Sequence, residues 1–467
     1  MGREPGMLPR LRDSYRRRDV NRRDFGRRAG AALGVLAVAG TDVAMLGRHA
    51  GPALTRRVQQ ASLRVNGSRA LEWLRVLAEF GKTPEGGISR VAFSEADRTA
   101  RGYVAGLMRE AGLSVSVDFA GNLIGRKAGS DPTRAPLMMG SHIDSVPGGG
   151  NFDGQVGSIG AVEVARTLAD NGVALRHPLE VVIFTNEEGG KTGSRALIGH
   201  VEDAELDLVT ASGHTIAEGL RLVGGDPARL AEVRRPEGSI AAYLELHIEQ
   251  GGLLETQEVE IGVVEGIVGI KRWNVTIKGF ANHAGTTPMN VRSDALVAAA
   301  RFIQAVNDVA SSMPGRQVAT VGRLDVQPGA PNVIPGTVTL SLEIRDLEMS
   351  KIDRVYEVIG ARAAEIVASE EARFTFERFY VSTAAPTAQR LRRVIEAAAE
   401  RLGYTNVRMP SGAGHDAQSI ALLGPVGMIF IPSRGGISHS PREFTEPRHV
   451  VSGMNVLLHA LLDLDRS

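Results

Sequence analysis

APLMMGSHIDSVPGGGNFDGQVGSIGAVEVARTLADNGVALRHPLEVVIFTNEEGG, Ala135 to Gly190, decides the fold. APLMM is a short apolar run and reads as a buried strand. It leads into His142 and Asp144, and a glycine-rich loop then brings the chain to Asp153. VGSIGAVEVARTLAD spaces its apolar residues as a helix does, and Asn171–Gly172 stops it. LEVVIF is a second apolar run that ends directly in Glu187 and Glu188. Continuous rather than alternating apolar strands, separated by a helix, predict parallel strands covered on both faces. In such a sheet ligands bind beyond the carboxyl ends of the strands, where these polar residues fall.

Outward from that stretch the alternation continues. Toward the N-terminus, SRALEWLRVLAEFGK reads as an amphipathic helix from Ser68 to Lys82. A second helix runs from Ser94, its N-cap, to the Gly112 stop, and 114–129 alternates as a strand pair. IAAYLELHIEQGGLLE, from Ile240, carries His247, Glu249 and Gln250 at the end of another apolar run. GIKRWNVTIKGFANHAG and NVIPGTVTLSLEIRDL then alternate with period two, as half-solvated antiparallel strands do, with helical stretches at 293–310 and 351–370. From about Thr383 the α/β pattern resumes, through SGAGHDAQSIALL and VGMIFIPS to a last helix. The expected fold is α/β: a mixed, largely parallel sheet flanked by helices, with an inserted α+β domain. The expected divisions are 1–55, a signal and linker; 56–268 and 384–467, the two parts of the main domain; and 269–383, the insert.

Composition narrows the chemistry. The 467 residues contain no Cys, which excludes disulfides and thiolate ligands, so any metal rests on His, Asp or Glu. A net charge of +1 gives no case for a nucleic-acid partner. That charge is unevenly spread: residues 1–28 hold ten Arg against four acids. NRRDFGRR, Asn21 to Arg28, precedes the apolar run AGAALGVLAVAG and looks like a twin-arginine export signal, with its pair at Arg22 and Arg23. The run is too short for a comfortable membrane span, so an extracytoplasmic location without a stable span is expected.

Adjacent acids such as Glu187 and Glu188 repel unless a cation lies between them. Hard N and O donors without sulfur suit Zn, Mn, Co or Ni. Two ions about 3.5–4 Å apart need a shared carboxylate, the part given to Asp153. His142 supplies a ligand from its strand end, and Asp144 is placed to accept the imidazole's other N–H. His415 and Asp416 follow a glycine loop and either join the site or cap a helix start.

GSHIDSVPGGGNFDG, TNEEGG, ELHIEQGGLLE, GFANHAGTTPM, PNVIPG, LEIRDL, GAGHDAQ and GGISHSPREF, in that order, resemble the motif series of the N-carbamoyl-L-amino-acid hydrolase and allantoate amidohydrolase family. These are binuclear metal amidohydrolases related to zinc amino- and carboxypeptidases. The resemblance implies a zinc-exopeptidase-like catalytic domain with an inserted lid or dimerisation domain. It implies one metal held by His142, Asp153 and His247, a second by Asp153, Glu188 and His439, and Glu187 as general base. Gln250 would meet the ureido group and His283 the oxyanion. Asn332, Arg345 and the backbone at Gly412 and Ala413 would bind the substrate carboxylate. It further implies a homodimer and a small ureido or carbamoyl acid substrate, cleaved to amino acid, CO2 and ammonia. Allantoate or N-carbamoyl-β-alanine hydrolysis, and aminoacylase or dipeptidase activity on the same scaffold, are the alternatives. After NEEG the family more often carries Arg and an aromatic, where this chain has GKT (Gly190 to Thr192).

Overall fold

The computed structural model describes residues 62–467; the twin-arginine-like stretch and its apolar run lie outside the described residues. Helix α1, Gly67–Leu77, starts one residue before the expected Ser68, because the Asn66 side chain accepts the Arg69 N–H. It also stops well short of Lys82, where turns take over before Gly81 at φ +85°. Helix α2, Glu95–Glu110, has Ser94 as its N-cap, accepting from Asp97 N, and ends before Gly112 at φ +79°.

Among the described residues the main sheet has nine strands. They are β1 (Ser114–Val117), β2 (Leu123–Lys127), β3 (Leu137–His142), β4 (Leu179–Phe184), β5 (Ala242–Ile248), β6 (Ile261–Ile267), β11 (Ala385–Pro386), β12 (Asn406–Ser411) and β13 (Val426–Ile431). Their order is β1-β2-β4-β3-β5-β13-β6-β11, with β12 beside β6. β3 pairs in parallel with β4 and β5, and β13 with β5, while β1–β2 and β2–β4 are antiparallel. Every residue of β3, β4, β5 and β13 is buried, which explains their unbroken apolar runs. Helix α3, Gln155–Asp170, packs on β3, β5 and β4 and buries most of its length.

A second, antiparallel sheet is ordered β10-β7-β9-β8, from β7 (Gly269–Lys278), β8 (Val318–Gln327), β9 (Thr337–Asp346) and β10 (Arg373–Ser382). Helices α4 (Ala295–Ser312) and α5 (Met349–Glu370) cover it through Phe302, Ile352 and Val355, packed with Val275, Leu340 and Leu342. Truncating one such side chain to Ala costs about 2–5 kcal/mol. The period-two reading found β7 and β9 but not β8 and β10. Both missed strands are largely exposed, and each carries a register shift, at Val321/Leu324 and at Arg378/Tyr380, that breaks the alternation. Helices α6 (Gln389–Leu402) and α7 (Pro447–Arg466) complete the layer beside β13. No helix among the described residues is long and apolar enough to cross a membrane.

Candidate metal centre and pocket

His142 closes β3, His247 stands near the end of β5, and Glu187 and Glu188 follow β4 by a short turn. That turn passes through Asn186 at φ +56°, and the loop carrying His439 puts that residue at φ +53°. Left-handed backbone at residues other than glycine is costly and collects at functional sites. Gly154 (φ +79°) is required: a Cβ there would lie 2.3 Å from His142 Nε2.

Two donor triads share Asp153: His142–Asp153–His247 and Asp153–Glu188–His439, with each triad's ligand atoms within 4.8 Å of one another. Nε2 of His247 and of His142 face Asp153 Oδ1 at 3.2 and 3.7 Å. Nε2 of His439 faces Asp153 Oδ2 at 3.2 Å and Glu188 Oε1 at 3.4 Å. On the far side of two of these rings, His142 Nδ1 meets the Asp144 main-chain oxygen at 3.1 Å and His247 Nδ1 the Ile248 oxygen at 2.8 Å. A carbonyl facing Nδ1 requires the proton there, which leaves the Nε2 lone pair aimed into the cluster. The Gly154 N–H pointing at His247 Nε2 (3.1 Å) agrees with that tautomer. This donor set fits divalent cations. A third group, Glu245–His247–His415, lies behind it and is wholly buried.

The charges lean on one another. Burial disfavours a charged His142, yet Glu187, Asp144 and Glu188 together hold its pKa well above the usual imidazole value. Burial likewise opposes ionisation of Asp153, but His247 and His439 pull its carboxyl well below the carboxylate range. Burial pushes Glu187 well above that range; His142 pulls it back, and Asp416 and Glu188 push it further. Its Oε2 lies 3.8 Å from His142 Nε2.

Asp144 departs from expectation. Its carboxylate is 3.6 Å from His142 Nδ1, farther than its own main-chain oxygen. The carboxylate instead accepts the N–H groups of Glu187 (3.3 Å) and Glu188 (3.1 Å), so it fixes the acid pair. Asp416 stands at the start of a short helix, but its side chain makes no capping hydrogen bond. His415 Nε2 lies 2.7 Å from Ser411 Oγ, and its ring packs edge-on against His247, 4.5 Å between centroids.

Glu443 was missed. Its Oε1 accepts from Phe152 N (2.9 Å) and Asp153 N (3.1 Å), and its Oε2 lies 2.8 Å from Ser438 Oγ and 3.3 Å from His439 N. One carboxylate thus ties the loop of the shared ligand to the loop of His439. The signal was present in SHSPREF, an acid four residues beyond His439.

A cavity of about 370 Å³ opens over the triads, lined also by Glu187, Lys191, Gln250, Arg272, Arg345 and Ala413. A larger one, about 490 Å³, beside Leu254 and Thr405, contains none of the ligand residues. Gln250, at φ +59°, donates from Nε2 to Asp153 Oδ2 (2.6 Å), and its buried Oε1 has no hydrogen-bond partner. Arg345 reaches the pocket but is partly engaged: Nε donates to Glu343 Oε1 at 2.7 Å and Nη1 to the Gly412 carbonyl. Arg345 is thus ion-paired with Glu343. The expected N–H groups at 412–413 are also rearranged: Gly412 offers its oxygen to Arg345, and Ala413 N–H goes to Ser411 Oγ (3.2 Å), closing a tight turn. Arg272, unforeseen, shares Glu343 and lies over the Tyr380 ring at 4.8 Å. His283 and Asn332 do not line this pocket. They are exposed and sit together elsewhere, with His283 bridged to Val333 and Ala284 N donating to Asn332 O at 3.0 Å.

Residues 138–463 match the model of peptidase family M20/M25/M40. The chain is 42% identical over 405 residues to the N-carbamoyl-L-amino acid amidohydrolase of Geobacillus stearothermophilus, covering 86% of this chain and 99% of that protein. It is 32% identical over 413 residues to the allantoate amidohydrolase of Bacillus subtilis, covering 87% and 99%. Among solved structures, an amidase of the hydantoinase/carbamoylase family from Burkholderia multivorans superposes with TM-score 0.81 at 36% identity, covering 87% of this chain and 99% of that one.

Proposed function

Because this chain belongs to the peptidase family M20/M25/M40, a metal-dependent hydrolase family, we propose that it cleaves the linear C–N bond of an N-carbamoyl-L-amino acid or a related ureido acid, releasing amino acid, CO2 and ammonia. The observation that carries the reading is the pair of donor triads sharing Asp153, with Glu187 beside them in the same cavity.

Two divalent ions, Zn or else Mn, Co or Ni, would be held by His142, Asp153 and His247 and by Asp153, Glu188 and His439. Bound there, they supply Lewis acidity toward the scissile carbonyl and toward water. Glu187 takes the proton of the attacking water and returns it to the nitrogen that leaves. A carboxyl whose proton affinity is raised by burial suits both transfers. Asp144 keeps Glu187 aimed by holding its N–H. Arg345 offers the substrate carboxylate its guanidinium N–H groups not used by Glu343 and Gly412. Gln250, whose Nε2 donates to Asp153, would offer its amide to the ureido group, which would satisfy its stranded Oε1.

His283 and Asn332, built as a pair away from their own pocket, serve the pocket of a second copy in a homodimer on this reading. The basic head and its Arg22–Arg23 pair favour export. The test is release of ammonia by metal-loaded protein from N-carbamoyl-L-amino acids, allantoate and N-carbamoyl-β-alanine, with Glu187→Gln as control. Release of free amino acid from an N-acetyl amino acid or a dipeptide is measured in parallel. Ammonia lost in the control upholds the proposal. Turnover confined to the acetyl or dipeptide substrates overturns it in favour of an aminoacylase or dipeptidase.

A further inference from the structure

The cavity holds one lysine that makes no ion pair among the described residues, although its charge acts on the Glu187 carboxyl across the cavity. Lys191 lines it from the turn after the acid pair, with its backbone left-handed at φ +59° and its N–H bonded to Glu187 O at 3.0 Å. Its Nζ is held in place, 2.6 Å from Gln418 Oε1. Gln418 is itself anchored, since its Nε2 donates to Ser382 Oγ at 3.0 Å and to Thr383 O. A Cβ on Gly414 would lie 3.3 Å from the same Nζ, so the ammonium rests against the GAGHD loop.

The other two cations of the cavity, Arg272 and Arg345, divide a single carboxylate, Glu343, through their Nε atoms. Lys191 has no carboxylate within ion-pair distance among the described residues, and its hydrogen-bonded partner is a neutral amide. An ammonium has three donors, and Gln418 takes one of them. The position on the wall follows from β10. Tyr380 and Ser382 are two apart and project from one face of that strand; Arg272 lies over Tyr380, and Lys191 is tethered through Gln418 to Ser382. Lys191 and the Arg272–Arg345 pair therefore line one wall of the cavity, and Lys191 is a second cationic point apart from the pair that would meet an α-carboxylate.

We propose that Lys191 forms a subsite for a second acidic group on the substrate, so that the preferred class is the N-carbamoyl derivatives of dicarboxylic amino acids. The inference rests on the function proposed above. One carboxylate meets Arg345, and the side-chain carboxylate meets Lys191.

The test compares kcat/KM of the metal-loaded protein on N-carbamoyl-L-glutamate and N-carbamoyl-L-aspartate with that on N-carbamoyl-L-methionine. The acidic substrates are expected to be favoured by at least about tenfold, with the preference shrinking at high salt. Lys191→Gln should lower the acidic-to-neutral ratio by about tenfold or more, mainly through KM. Lys191→Arg should retain most of that ratio. A wild-type ratio near one overturns the proposal. So does an equal loss on both substrates in Lys191→Gln, which would make Lys191 a support for Glu187 or for the turn. Turnover of neither carbamoyl class while a dipeptide is cleaved refutes the proposed function itself, and this subsite with it.

Discussion

At the ends of β3, β4 and β5 every expected metal ligand converges with His439 on Asp153, whereas on the antiparallel layer only Arg345, of three expected substrate residues, reaches the same cavity. The two regions are held by different means. The ligand residues leave fully buried strands and are locked by carbonyls, Asp144 and Glu443. His283 and Asn332 sit on exposed loops and are fixed only to each other's neighbourhood: Ile334 N donates to Asn282 O at 2.8 Å, and His283 Nδ1 accepts from Gly285 N and Thr286 N. A core fixes a site within one chain; in the homodimer proposed above, the surface pair would be completed by a second copy.

That contrast can be broken most forcefully at its centre. Asp153→Ala removes the shared donor, and metal content measured after dialysis should fall from both positions, with activity reduced to background. Retention of both equivalents would show that the triads do not hold the ions. Glu187→Gln should cut kcat by about 10²–10⁴-fold while leaving bound metal in place, which separates proton transfer from ligation in one measurement. Glu443→Ala should weaken metal affinity by about 10–100-fold, read by competition with a chelator; an unchanged affinity would mean that the two loops hold their geometry unaided.

The exposed region is tested differently. His283→Ala and Glu187→Gln, each impaired alone, should recover activity when mixed and allowed to exchange subunits. No recovery on mixing, with exchange verified by mass, would mean that each chain completes its own pocket. The smallest effect is expected behind the metal centre. Tyr243 OH lies 2.9 Å from Gly140 O and 3.0 Å from Glu245 Oε2, beneath the strand that carries His142. Tyr243→Phe should cost about 0.5–1.5 kcal/mol in denaturant unfolding, with kcat little changed.

What could be read from the chain follows the same divide. His142, Asp153, Glu187, Glu188 and His247 announce themselves because polar residues at the ends of apolar runs have few structural reasons to be there. His439 was placed by motif order, since no buried strand precedes it directly. Arg272 hid in an alternating strand, where a charge on the outward face is ordinary. Glu443 hid because its role depends on a neighbour about 290 residues away, a pairing that no local pattern encodes. Asp144 was found for a plausible reason and serves another: strand alternation gave its side but not the nearer N–H groups that the β4 turn presents. β8 and β10 escaped because bulges interrupt the only periodicity that marks an exposed strand.

The strand order has a consequence for how the molecule is made. β13 lies between β5 and β6, near the middle of the main sheet, yet it is the last in chain order of the described strands. Until Ile431 has left the ribosome, the nascent chain carries a cleft where its interior should be, and the Glu443 clasp is still unmade. The main sheet therefore waits on contacts of very long sequence separation, the kind that slow folding most, whereas the antiparallel layer pairs and packs within residues 269–382. Metal capture at this centre would therefore report that β13 and the Glu443 loop are in place, and a chain truncated just before β13 would expose the apolar flank of β5 as an aggregation-prone edge.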